Sequence, residues 1–116
     1  MSTKEIVNDW FEKWETGNFH DLPLSEDFSH TSPFGTTTGK NAYLGLVEEN
    51  KDKFLGYTFE IEDMITDENR ACIRYKAIQG DFSLDVSEWH YLRGDLIHKI
   101  VAYYHIGEIR EERQLK

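Results

Sequence analysis

The segment Phe82-Ser83-Leu84-Asp85-Val86-Ser87-Glu88-Trp89-His90-Tyr91-Leu92-Arg93-Gly94-Asp95-Leu96-Ile97 alternates in polarity and then reverses. Leu84 and Val86 are flanked by single polar residues, the period of a strand with one buried face. Gly94-Asp95 has the composition of a two-residue hairpin loop, and Leu96 opens the return strand. The pattern predicts strands over 82–93 and 96–106. With a period of two, one choice of register decides where every side chain points. The register that buries Leu84 and Val86 also turns Glu88 and His90 inward and sends Asp85, Ser87, Trp89 and Tyr91 outward. A slip of one residue would line the interior with Asp85, Ser87, Trp89 and Tyr91 instead.

The same period runs upstream. Tyr57, Phe59 and Ile61 alternate with Thr58, Glu60 and Glu62, and Ile73, Tyr75 and Ala77 alternate with Arg74 and Lys76. This predicts strands over 57–66 and 70–80, with turns at Asp67-Glu68-Asn69 and Gln79-Gly80-Asp81. Four strands joined by short turns form an antiparallel meander, and Glu60 and Glu62 can face Arg74 and Lys76 across it. Nearer the start the period is helical. Ser2 and Glu5 have the spacing of a capping box, with Met1 and Ile6 at the staple positions. Ile6, Val7, Trp10, Phe11 and Trp14 make one apolar face, and Gly17 is the stop. This predicts a helix over 3–16. A short piece, 18–24, carries Phe19, Leu22 and Pro23. A short strand follows over 26–32, then a turn at Ser32-Pro33-Phe34-Gly35. A second helix is expected over 40–54, with Thr38 as its cap. The charged tail, 107–116, is expected to fray.

The chain has 116 residues, with 13 basic and 22 acidic side chains and a net charge of −9. This length suits one domain, 1–116, with a radius near ~13 Å. Apolar residues make up 39% and aromatics 14%, which argues against disorder. The acidic excess argues against nucleic acid or an anionic membrane as partner. Cys72 is the single cysteine, so neither an intrachain disulfide nor a cysteine zinc cluster is expected. With no long apolar run and no leader-like start, a cytoplasmic protein is expected.

Two helices, a short strand and then a curved antiparallel sheet is an α+β order. The sheet must bury its apolar face, and curving around the helices leaves a conical hollow. This order resembles the NTF2-like superfamily, the cystatin-like α+β barrel, and within it the SnoaL-like and ketosteroid isomerase-like proteins. The resemblance is carried by Trp14-Glu15-Thr16-Gly17-Asn18 at the end of helix one, by Ser32-Pro33-Phe34-Gly35 followed by Gly39-Lys40, and by Glu88 placed nine residues before Ile97 with Gly94 between. Ala102-Tyr103-Tyr104 matches the end of the last strand. It implies a cone-shaped, four-stranded antiparallel sheet wrapped around N-terminal helices. The isomerase members use a helix-one tyrosine, an aspartate base before the turn and an acid on the third long strand. Those positions fall on Trp10, Ser32 and Glu88. Only the acid is retained, so classical steroid isomerase chemistry is not expected.

Glu88 and His30 are the candidate catalytic residues. Glu88, if inward, is a buried acid with a raised pKa; if outward, it is a surface carboxylate paired with Arg74 or Lys76. His30 shares a strand face with Ser32 and so with the hollow; the alternative is a rim histidine bonded to a backbone carbonyl. A carboxylate in apolar walls should take up a proton or share one with His30. The remaining expected lining is Trp10, Trp14, Ser32, Tyr57, Phe59, Val86, His90 and Tyr104. No metal or other cofactor is expected, since His30, Glu88 and His90 match no ligand spacing. Arg93-Gly94-Asp95 is read as hairpin chemistry, and Cys72 as a small strand residue. Three functions remain open. One is proton-transfer chemistry (isomerisation, dehydration or cyclisation) on a small apolar molecule. The second is non-catalytic binding of such a molecule. The third is a protein-interaction module with a plugged hollow. A homodimer through the outer sheet face is expected, because Trp89, Tyr91, Tyr103 and His105 share that face with charged pairs.

Overall fold

The computed structural model describes residues 1–105. Helix α1 spans Thr3–Thr16. Its capping box forms as the sequence requires. The Glu5 N–H donates to Ser2 Oγ at 3.2 Å and the Ser2 N–H to Glu5 Oε1 at 3.0 Å. Gly17 ends the helix at φ 82°, in the left-handed region that glycine reaches without strain. A 3-10 turn, Phe19–Asp21, leads into β1, Leu24–Ser32. Strand β2 covers Gly35–Thr38, helix α2 Lys40–Glu49 and helix α3 Lys51–Phe54. Strands β3 (Thr58–Thr66), β4 (Arg70–Gln79), β5 (Phe82–Arg93) and β6 (Leu96–Tyr103) complete the described chain.

The sheet has six strands rather than four, in the order β2-β1-β6-β5-β4-β3. The four long strands form the expected antiparallel meander. The short strand joins it in parallel, with Thr31 opposite Val101 of β6, and β2 folds back on β1 with Thr37 opposite His30. Thr36-Thr37-Thr38 has no apolar alternation, so β2 carries no sequence signal of its own; it forms because β1 offers a free edge.

The expected helix over 40–54 breaks at Asn50, whose side chain donates to the Leu46 carbonyl at 2.8 Å and whose backbone leaves the helical region. Gly39, not Thr38, stands at the start of α2, with φ 101°. Thr38 is held in β2 opposite Ser29 and cannot cap. The expected facing of Glu60 and Glu62 with Arg74 and Lys76 holds in part: Glu60 stands opposite Lys76, but Glu62 does not stand opposite Arg74. An irregularity between Ile61 and Asp63 brings Asp63 opposite Arg74. Arg74 bonds Asp63 at 2.7 Å, and Lys76 pairs with Asp85 at 3.3 Å. The end of the expected 96–106 strand beyond residue 105, and the 107–116 tail, lie outside the described residues.

Burial along β5 alternates strictly from Phe82 to His90, which selects the register with Leu84, Val86, Glu88 and His90 inside. Against this face α1 lays Ile6, Val7, Trp10, Phe11 and Trp14, all buried. Phe28, Ile73, Ile97 and Ile100 are sealed beneath them. No helix among the described residues is long and apolar enough to cross a membrane.

Candidate functional site

Between α1, the α2–α3 segment and the concave sheet lies a cavity of about 170 Å³. Its walls are largely aromatic because each bordering element turns its apolar phase inward. Trp10 and Trp14 come from α1, one helical turn apart, and pack edge to face at 5.6 Å. Tyr57 comes from just before β3 and Phe59 from its start, Val86 from β5 and Tyr104 from just past the end of β6. His30 and Glu88 also reach this wall.

Glu88 is 3% exposed, and both of its oxygens accept hydrogen bonds. The Tyr75 hydroxyl donates to Oε2 at 2.7 Å, and His90 Nε2 lies 2.7 Å from Oε1. Glu88 and His90 meet because residues two apart on a strand share a face. Tyr75 stands on β4 opposite Val86, diagonal to Glu88. Burial is the largest influence on the Glu88 carboxyl and pushes its pKa up. The His90 hydrogen bond, the charges that His90 and His30 carry when protonated, and the Tyr75 hydrogen bond together outweigh it and bring the pKa below the ordinary value. The raised pKa expected of an inward Glu88 is thus reversed, because the interior supplies donors to both oxygens. Burial pushes the Tyr75 phenol well above 10, so it remains a donor across the working pH range.

His30 is half-buried, with its ring stacked on Tyr43 at 5.1 Å. Burial lowers its pKa, with the Glu88 charge acting in the opposite direction, so the imidazole is neutral near pH 7. The carboxylate expected to share a proton with His30 is instead bonded to His90. His90 is wholly buried behind the wall, wedged against Trp10 and Phe11, rather than lining the cavity. Its Nδ1 is buried without a hydrogen-bond partner, which favours the tautomer with the proton on Nε2, donating to Glu88. Ser32 lies outside the main cavity, on a neighbouring groove of about 250 Å³ that shares His30, Phe34 and Tyr104 with it. Its hydroxyl accepts from the Phe34 N–H at 3.2 Å, the geometry of a turn residue. Tyr43 and Tyr75 were legible only as core. Their place on the cavity wall follows from strand and helix phase, but their nearness to Glu88 needs the cross-strand register. Among the described residues no group of three His, Cys, Asp or Glu side chains is placed to hold a metal ion.

Known structures share this architecture. An NTF2-like protein of unknown function from Cytophaga hutchinsonii superposes with a TM-score of 0.79 at 20% identity, covering 92% of this chain and 93% of its own. A candidate ketosteroid isomerase from Kribbella flavida gives 0.73 at 15% identity, over 87% and 76% of the two chains. A candidate polyketide cyclase from Xanthomonas campestris gives 0.71 at 18% identity, over 90% and 91%. At such identities the likeness establishes the NTF2-like fold and nothing about reaction. No curated protein matches the sequence. The family model of the SnoaL-like domain matches residues 7–102, and the chain belongs to that family.

Proposed function

We propose that the cavity binds a small, largely apolar molecule and that His30, assisted by Glu88, moves a proton on it. The supporting observation is that a largely aromatic cavity carries a neutral imidazole and a buried carboxylate on its wall. His30 would take a proton from a carbon next to a carbonyl, and the Glu88 charge would favour the imidazolium formed. Isomerisation, dehydration and cyclisation through an enolate each begin with such a step. A volume of about 170 Å³ is below the ~300 Å³ at which pockets for drug-sized ligands begin, which favours a single ring or short chain over a steroid.

The test is proton exchange. Small cyclic ketones such as cyclohexanone are incubated with the protein in D2O, and loss of the α-proton signal is followed by NMR. Exchange above the buffer rate, falling by about two to four orders of magnitude in His30→Ala, is the expected result. Binding without exchange would leave a non-catalytic binding protein. No binding would leave a protein-interaction module.

We also propose that the outer sheet face pairs two copies of the chain. Ile65, Cys72, Trp89 and Val101 lie in register across four strands on that face, and Ile65, Trp89 and nearby Tyr103 are exposed. An exposed apolar row of this kind favours an interface. Light scattering at micromolar concentration should report a dimer, and Trp89→Glu should return the monomer.

A further inference from the structure

The charge of Glu88 is not cancelled by the groups that hold it. Tyr75 is a neutral donor. His90 presents Nε2 to the carboxylate and buries Nδ1 with no acceptor in reach. An imidazolium there would strand a second N–H, and an unmade hydrogen bond from a buried charged donor costs more than that of a neutral group. His30 is neutral for its own reason, burial against Tyr43. Lys53, also on the wall, has an interaction of its own, and the groups that act on the Glu88 charge are His90, His30 and Tyr75. The result is a carboxylate stabilised by hydrogen bonds but lacking a countercharge, in a setting where an unpaired charge is expensive.

Apart from Lys53, the aromatic part of the wall has the same electrostatic preference. Trp10, Trp14, Phe54, Tyr57 and Phe59 surround the cavity. Aromatic faces carry negative potential and attract cations, most strongly where water is excluded. The net charge of −9 acts in the same direction at long range. We propose that the ligand is a small organic cation, a substituted ammonium whose alkyl groups lie against the aromatic rings while its charge faces Glu88. This rests on the cavity being a ligand site, and it narrows the ligand from apolar to apolar and positively charged.

The experiment compares choline with 3,3-dimethylbutan-1-ol, its uncharged isostere, in buffer of physiological ionic strength. Binding is read by calorimetry and by tryptophan fluorescence, since Trp10 and Trp14 stand on the wall. Choline should bind about tenfold or more tightly than the alcohol, the ratio that a desolvated cation–aromatic contact supplies. In Glu88→Gln the preference should fall while the alcohol still binds, which shows the cavity intact. If the alcohol binds the unsubstituted protein as well as choline or better, the cation proposal is overturned and the ligand-site reading stands. If neither binds, both fail. The decisive comparison uses the unsubstituted protein, so it does not depend on the variant folding.

Discussion

Strand β5 carries two pairings of a carboxylate with a nitrogen base, one on each face. Inside, Glu88 and His90 sit 2.7 Å apart with side chains 4% and 0% exposed. Outside, Asp85 and Lys76 sit 3.3 Å apart with side chains 66% and 39% exposed. The acids stand three positions apart, and the pleat alone assigns them to different solvents. Water screens the outer pair and competes for both partners, whereas the inner pair has exchanged water for a fixed set of donors. The inner face therefore holds its polar groups in a fixed geometry, whereas the outer face leaves its charges to water.

The largest effect should come from removing the inner base. His90→Leu keeps an apolar fill but deprives Glu88 of a donor and leaves one buried oxygen unsatisfied, and urea unfolding should show a loss of about 3 kcal/mol, the upper end for a hydrogen bond to a charged group. A loss below about 1 kcal/mol would mean that the two faces do not differ as described. Tyr75→Phe removes the other donor while keeping the ring, and should cost about 1.5–3 kcal/mol, the range for hydrogen bonds to charged groups.

Acid sharpens the contrast further. His30 has a folded pKa below its unfolded value of 6.5, so the unfolded chain binds more protons in that window and stability declines as pH drops below 6.5. Glu88 likewise has a lowered folded pKa, so its contribution is present above 4.5 and is lost as pH falls below it. Thermal melts from pH 8 to pH 3 should show both declines, with His30→Ala removing the upper one. A Tm that holds steady between pH 7 and pH 5 would contradict the burial of His30. The smallest effect belongs to the outer pair: Lys76→Ala should leave the Tm indistinguishable from that of the unsubstituted protein, and a clear drop would show that the outer face is less solvated than its exposure indicates.

Legibility in the sequence tracked the range of each interaction. Helix α1 with its capping box and Gly17 stop, the Gly94-Asp95 hairpin and the two-residue period of β5 all depend on residues within a few positions of one another, whereas which phase of β5 faces inward was settled by burial in the sheet. The parallel seat of β1 beside β6 depends on residues roughly seventy positions apart, and no local pattern announces it. The break at Asn50 was hidden because apolar residues on either side keep helical spacing. Arg74 was matched to the wrong acid because the shift between Ile61 and Asp63 displaces every later pair on β3.

The sequence by itself determined that this chain would form a helix packed on an antiparallel meander, because periodicity follows from where successive Cβ atoms point; it left two registers for β5, and burial in the folded sheet chose the one with Glu88 inside. Only the tertiary structure decided that Glu88 bonds Tyr75 and His90 rather than His30, that His90 stands behind the cavity wall, and that Ser32 belongs to the neighbouring groove. Those outcomes depend on side chains from different strands meeting within hydrogen-bond reach. Register, bulges and the curvature of the whole sheet set such distances, and no short stretch of chain contains that information.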